Sequence, residues 1–300
     1  MKKALKWIGI VLAGLVGLLV VAAIALVIYG QAKFKPTYAN RPLYPIAADT
    51  SPEGLERGRY LMEDVTLCYE ACHTFEQEFA GGYEEINDGP VSAVFAVPNL
   101  TQDVETGLGG WTDAEIARAI REGVDKDGVG LVIMPSANYR ALSDADVAAV
   151  VGYLRNLEPV RNEVPPLQVN MVGKVFNALG MFGPGSVGEP LTAPQQAPPQ
   201  GTADYGGYMV SVGDCRACHG ADLAGGPMPF GEGGPDPANL TPAGELPSWT
   251  EADFITAVST GQVPSGTFLT DGMPRYKMTD EDLAAVYKYL LSLPPVESKN

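Results

Sequence analysis

The sequence predicts an all-α protein: two tandem copies of one small helical domain behind a membrane-spanning N-terminal helix. Three observations carry that expectation. They are a long uncharged apolar run near the start, an internal repeat of five landmarks, and amphipathic helical stripes with sparse strand signals between them.

The apolar run extends from Trp7 to Tyr29 without a charge, on Leu, Val, Ala, Ile and Gly. It exceeds the roughly 20 residues that cross a bilayer core. Lys2, Lys3 and Lys6 precede it, so the positive-inside rule keeps the terminus cytoplasmic and sends the rest outward. A cleaved signal peptide is the rival reading, but its apolar region runs only about 7 to 15 residues. Residues 1–30 are therefore expected to be a single-pass anchor in the inner membrane, with the bulk of the chain on the periplasmic side. Residues 31–49 read as a stalk, because Pro36, Pro42 and Pro45 deny it a continuous helix.

The remainder divides into a first domain, 50–160, a Pro-rich linker, 161–201, and a second domain, 202–300. The first copy carries Cys68…His73, Pro98-Asn99-Leu100-Thr101, Trp111-Thr112, Met134-Pro135 and Ser143-Asp144-Ala145-Asp146. The second carries Cys215…His219, Asn239-Leu240-Thr241, Trp249-Thr250, Met273-Pro274 and Thr279-Asp280-Glu281-Asp282 in the same order. The final helices agree in detail: Val147, Val150, Val151, Leu154 and Leu157 recur as Leu283, Val286, Tyr287, Leu290 and Leu293, a stripe that buries one face. Ser143 and Thr279 stand as N-caps, Thr112 with Glu115 forms a capping box, and Thr250 with Asp253 resembles one. Shorter helices are expected before each cysteine cluster, around 55–62 and 203–210. The linker is extended by its prolines and builds no core of its own. Its apolar piece, 172–182, reads as a short helix packed on a domain or at the membrane surface.

The chemistry lies in the cysteines. Cys215-Arg216-Ala217-Cys218-His219 sets two thiols three residues apart with an imidazole directly behind, the pattern that closes two thioethers on one haem while the ring nitrogen reaches the iron. Cys68-Tyr69-Glu70-Ala71-Cys72-His73 is the same pattern loosened by one residue, and positions four apart still share a helical face. The chain has four Cys and two His, and these clusters use all six. A redox disulfide or half a zinc site are the competing readings, and zinc would need ligands gathered from two distant clusters. Two covalently bound haem c groups are expected, on Cys68 and Cys72 and on Cys215 and Cys218, with His73 and His219 on the irons. The second axial ligand cannot be another His. Met134, the one methionine between His73 and the linker, and its counterpart Met273 are the candidates, with Met228 and Met278 as alternatives in the second copy and core packing as the bland reading. Such ligation fills the iron and makes electron transfer, not catalysis on a small-molecule substrate, the expected activity.

With these residues in view the chain resembles the class I cytochromes c. It is most similar to the membrane-anchored multihaem cytochromes of bacterial respiratory chains and the cytochrome subunits of periplasmic alcohol, aldehyde and sugar-acid dehydrogenases. The resemblance rests on Arg57-Gly58-Arg59-Tyr60-Leu61, the two cysteine clusters, Gly109-Gly110-Trp111-Thr112, Gly206-Gly207-Tyr208, both Met-Pro pairs and the last helices. It implies that Gly58 and Gly206 let the first helix cross the last one closely. It also implies that the carbonyl of Pro98, and in the second copy of Ala238, accepts the ring N–H of the haem-ligating histidine. The chain departs from the family in its wide first cysteine spacing, in having two haem domains where the dehydrogenase subunits have three, and in its acidity.

The net charge is −16. Residues 50–160 carry 20 acidic and 7 basic side chains and residues 201–300 carry 13 and 5, whereas residues 1–49 carry 6 basic and 1 acidic. Acidic haem domains suit solubility and redox protein partners with a basic docking surface. They disfavour nucleic acid, whose phosphates need a basic surface. Asn99-Leu100-Thr101 and Asn239-Leu240-Thr241 match the glycosylation sequon, a match discounted in a bacterial-looking chain. Three roles are consistent with these features: a dihaem carrier between a quinol-oxidising complex and an oxidase or photosynthetic reaction centre, the wiring subunit of a membrane dehydrogenase, and a peroxidase-type enzyme that would need one iron left open.

Overall fold

The computed structural model describes residues 2–38, 40–66, 68–73, 78–180, 188–227 and 236–298. Helix α1 (Lys2–Lys33) contains the apolar run, and its most apolar stretch is unburied; it is long and apolar enough to cross a membrane. The helix runs three residues into the expected stalk, to Lys33; the described stalk residues beyond it are non-helical, as Pro36, Pro42 and Pro45 require, and are docked on the first half. The Tyr38 N–H donates to the Gly128 carbonyl at 2.6 Å and the Gly130 N–H to Pro36 at 2.8 Å. Arg41 forms a buried ion pair with Glu122, and the Ala48 N–H donates to Asp113 Oδ2 at 2.9 Å.

Helix α2 (Pro52–Tyr60) begins at Ser51, whose hydroxyl accepts the Gly54 N–H at 3.1 Å. After α3 (Asp113–Glu122) and the single turn α4 (Ser136–Tyr139), helix α5 (Asp144–Arg155) returns across α2. The crossing point is Gly58, where a Cβ would stand 2.2 Å from the Ala149 carbonyl oxygen. Helices α7 (Ala203–Val212) and α10 (Asp280–Ser292) cross the same way at Gly206, where a Cβ would stand 1.9 Å from the Ala285 oxygen. Between them lie α8 (Cys215–His219) and α9 (Glu251–Thr260). Both α3 and α9 start in complete capping boxes, Thr112 with Glu115 and Thr250 with Asp253, and both stop at a left-handed glycine, Gly123 and Gly261.

The Asn-Leu-Thr triplets are clasps. Asn99 Nδ2 donates to the Val160 carbonyl and Asn239 Nδ2 to that of Val296, each at 2.7 Å. Each Asn oxygen accepts from the N–H and hydroxyl of its Thr, and the Val160 and Val296 N–H groups return to the Thr101 and Thr241 hydroxyls at 3.0 and 3.2 Å. Chain leaving each last helix is thereby pinned to the loop behind each histidine. Both triplets are structural.

The all-α expectation is corrected to a mostly helical chain with one small antiparallel sheet. Strand β1 (Gly82–Asp88) pairs with β2 (Val91–Val97) from Gly82↔Val97 to Asp88↔Val91, and β2 pairs with β3 (Gln168–Val169) through Ala93↔Val169. The hairpin forms because Gly89 supplies a positive φ of 52° at the turn and the run after it is rich in Val. Through β3 the linker rejoins the first half and leads into α6 (Met171–Ala178), capped by Asn170, whose side chain accepts the Gly173 N–H at 2.9 Å. Residues 181 and 182 of the expected apolar piece lie outside the described residues. Further along, the Leu191 N–H donates to Glu122 Oε1 and the Asp144 N–H to the Gln195 carbonyl, both at 2.9 Å, so this stretch is also laid on the first half.

One set of buried side chains runs through both halves, from Leu61 to Leu290. Across their junction two tyrosines act reciprocally. Tyr60 donates to Asp282 at 2.6 Å and accepts the Thr279 N–H, while Tyr208 donates to Asp146 and accepts the Ser143 N–H, each N–H at 3.1 Å. Each half thus completes the N-terminus of the other half's last helix.

Candidate haem-attachment site

Both cysteine clusters close one helical turn, but of different kinds. Cys215–His219 is α-helical, whereas Cys68–His73 is a π turn. Hydrogen bonds in a π turn run i→i+5 and enclose one residue more than those of an α turn. A spacing of four in the first therefore does what a spacing of three does in the second, and the loosened motif keeps both cysteines on one turn.

The four thiols are half-buried and form no disulfide. Burial is the main cause that pushes each of them up, Cys215 to about 12. A reactive dithiol needs the opposite, a depressed thiol. Among the described residues no three His, Cys, Asp or Glu side chains converge as a metal-ion cage. The Asp214 carboxylate raises all four thiols further through its charge. It stands at φ 60° directly before α8 and accepts a hydrogen bond from Asn138 of α4. Burial pushes its carboxyl up to about 6, opposed by Asn138.

The histidines sit differently. His219 is buried and its Nδ1 lies 2.7 Å from the Ala238 carbonyl oxygen, the partner expected from the resemblance, which leaves Nε2 free. His73 Nδ1 is buried with no hydrogen bond, so the expected bond to Pro98 is not closed, although that carbonyl is near enough to oppose the effect of burial. The two rings end turns of different pitch. Burial lowers both, His73 to about 4, so both imidazoles are neutral near pH 7, the state in which they ligate metals.

Met134 and Met273 are both half-buried against the core, each at the head of a Met-Pro segment. Met278 is buried, with its methyl group about where a Cβ on Gly213 would be, 3.0 Å away, so it packs beside the start of α8. Met228 lies outside the described residues. Sequence reasoning missed two tyrosines that follow the Met-Pro segments. Tyr139 donates to the Thr66 carbonyl at 2.9 Å and Tyr276 to that of Gly213 at 2.6 Å, tying each segment to the backbone just ahead of a cysteine turn. Their recurrence after each Met-Pro was a usable signal. Nothing in the sequence pairs Asn138 with Asp214.

This donor set fits haem c. Each turn offers two thiols and a neutral imidazole, and a thioether on both vinyl groups is the chemistry that non-disulfide, non-metal cysteine pairs of this spacing supply.

Comparison with known proteins supports a covalently bound haem c in the second half. Residues 206–294 match the cytochrome c family model. The chain is 31% identical over 223 residues to one of the subunits of the nicotinate dehydrogenase of Pseudomonas putida, covering 69% of this chain and 18% of that one. It is 29% identical over 272 residues to the cytochrome c subunit of the alcohol dehydrogenase (quinone) of Gluconacetobacter polyoxogenes, covering 81% of this chain and 56% of that one. The chain therefore spans little more than half the length of the second relative and a far smaller share of the first. A diheme cytochrome c-type protein of Cereibacter sphaeroides is 29% identical over 226 residues, 68% of this chain and 73% of its own.

Proposed function

We propose that this chain, a c-type cytochrome, is a membrane-anchored dihaem electron carrier with two tandem cytochrome c domains, 50–160 and 202–300. The observation that carries the reading is the pair of cysteine turns, each with two half-buried thiols and each ending in a neutral histidine. Haem c, when bound, supplies a one-electron iron couple. Cys68 and Cys72 would hold one group and Cys215 and Cys218 the other, while the fixed backbone of each turn orients His73 and His219. The Ala238 carbonyl fixes the His219 tautomer that leaves Nε2 free to ligate. Met134 and Met273 would supply the remaining ligands, each steadied by the tyrosine behind it, and with both in place no position would be left for substrate. The apolar core that both halves share keeps water away and fixes the distance between the two sites.

A pyridine haemochrome assay is expected to return two covalent haems per chain, and replacing Met134 or Met273 to abolish the sulfur-to-iron charge-transfer band of one haem. One haem per chain, or unchanged bands, would overturn the assignment. The acidic surface supports a partner with a basic face, and stopped-flow transfer from a basic donor is expected to slow as ionic strength rises.

The second reading is an electron-transfer subunit docked permanently on a dehydrogenase, favoured by the names of the relatives. A stoichiometric flavin or quinone enzyme retained after mild detergent extraction separates it from the free carrier. Carbon monoxide binding to one ferrous haem would instead support an open, peroxidase-type iron.

A further inference from the structure

Helix α6 lies against the foot of α1. A Cβ on Gly30 would stand 3.0 Å from the Val175 Cα and backbone N, so the two helices touch backbone to backbone there. Gln31 Nε2 donates to Met171 Sδ at 3.2 Å, and Lys174 Nζ donates to Gln31 Oε1 at 3.1 Å and lies 5.2 Å from the centre of the Phe34 ring. Gly30 immediately follows the apolar run, whose residues rise about 34 Å as a helix against a hydrocarbon core of about 30 Å. A helix packed on Gly30 is therefore at the headgroup boundary.

Its outer side is apolar. Met171 is 43% exposed, Val172 38% and Leu179 57%, and Ile86, on the face of the sheet that carries Val169 and against which Gly173 of α6 packs, is 36% exposed. Charge divides in the same direction. Neither 30–48 nor 164–188 contains an Asp or Glu, while Lys33, Lys35, Lys174, Tyr29 and Phe34 gather at this foot and the rest of the exported chain is acidic. Lysines and aromatic rings flanking an apolar surface are the composition of a bilayer interface.

We propose that α6 is an interfacial helix whose exposed apolar side chains lie in the outer leaflet of the same bilayer that α1 spans. The inference rests on the anchor reading of α1. The first half then sits on the membrane and does not swing from it, because α6 is joined to that half without slack: β3 pairs with β2, and Asn170 donates from its backbone to Ser92 and from its side chain to Pro90, both at 2.8 Å. Beyond the end of α1 the stalk is bonded to 128–130. Two attachments to one half leave a single tilt of its haem site relative to the bilayer.

The test uses the full haem-loaded chain in nanodiscs of phosphatidylethanolamine and phosphatidylglycerol carrying a diazirine in the acyl chain. After irradiation, mass spectrometry is expected to find lipid adducts on α1 and also on Met171, Val172 or Leu179. Adducts on α1 alone overturn the interfacial helix and leave the anchor standing. Adducts on neither overturn the anchor as well. The double variant Val172→Glu, Leu179→Glu is expected to retain both haems, lose the α6 adducts and lose the linear dichroism of the haem bands in oriented membranes. Unchanged dichroism with the adducts lost overturns the claim that α6 sets the tilt.

Discussion

At Gly206 the Ala285 carbonyl oxygen occupies the space a side chain would need, 1.9 Å from an ideal Cβ, and at Gly58 the Ala149 oxygen does the same at 2.2 Å. The obstacle is backbone on a neighbouring helix, so no rotamer relieves it. Gly206→Ala is expected to cost about 1–3 kcal/mol or to part α7 from α10, read as a lower denaturation midpoint in urea. Asp214 gives a second residue-scale expectation. Its carboxyl binds a proton more tightly in the folded chain than in the unfolded one, so the stabilisation is complete at low pH and is lost as the pH rises through about 6. Asp214→Asn is expected to melt above the wild type at pH 8 and level with it near pH 4. Parallel melting curves at both values would remove the idea that a buried charge sits between the two cysteine turns.

Among the elements, the Asn-Leu-Thr clasp and the π turn do different work. The clasp satisfies buried donors and acceptors that no helix or strand serves, and Asn99 is 2% exposed. Asn99→Ala leaves the Thr101 N–H without its partner and frees the Val160 end of the clasp, at an expected cost of about 1–3 kcal/mol. Hydrogen exchange is expected to accelerate around 99–101 and 160–162, where the clasp joins the two strands of chain. The π turn of 68–73 acts through its backbone pitch. It absorbs one residue, and it does so at the position where α8 has none to absorb.

For the whole molecule, the reciprocal tyrosines are expected to make the two halves unfold together. Tyr60 and Tyr208 each donate to a buried aspartate and accept a helix-capping N–H of the other half. Replacing both with Phe strands Asp282 and Asp146 without those donors, at about 1–3 kcal/mol each. The expected result is that the single unfolding transition splits, with the haem-quenched fluorescence of Trp111 and Trp249 recovering in two steps and not one. Coincident transitions in the double variant would show that the shared apolar core alone couples the halves.

Much of this was legible in the residues: both cysteine turns, the capping boxes at Thr112 and Thr250 and the helix starts at Ser143 and Thr279, while the crossing glycines and the His219 partner came from the resemblance to the class I cytochromes c. The first group are local or repeated features, and spacing along the chain is enough to specify a helical turn or a cap. The hairpin was also written in Asp88-Gly89 and the Val-rich run after it, but its signal was outweighed by the helical ones around it. What only the tertiary structure decided is whatever joins residues distant in sequence without a periodic mark. It set the stalk along the first half, brought Asn138 to Asp214, left His73 Nδ1 without a partner, and laid α6 across Gly30. Each depends on where two separately determined pieces of backbone come to rest, and that position is set by the packing of the common core.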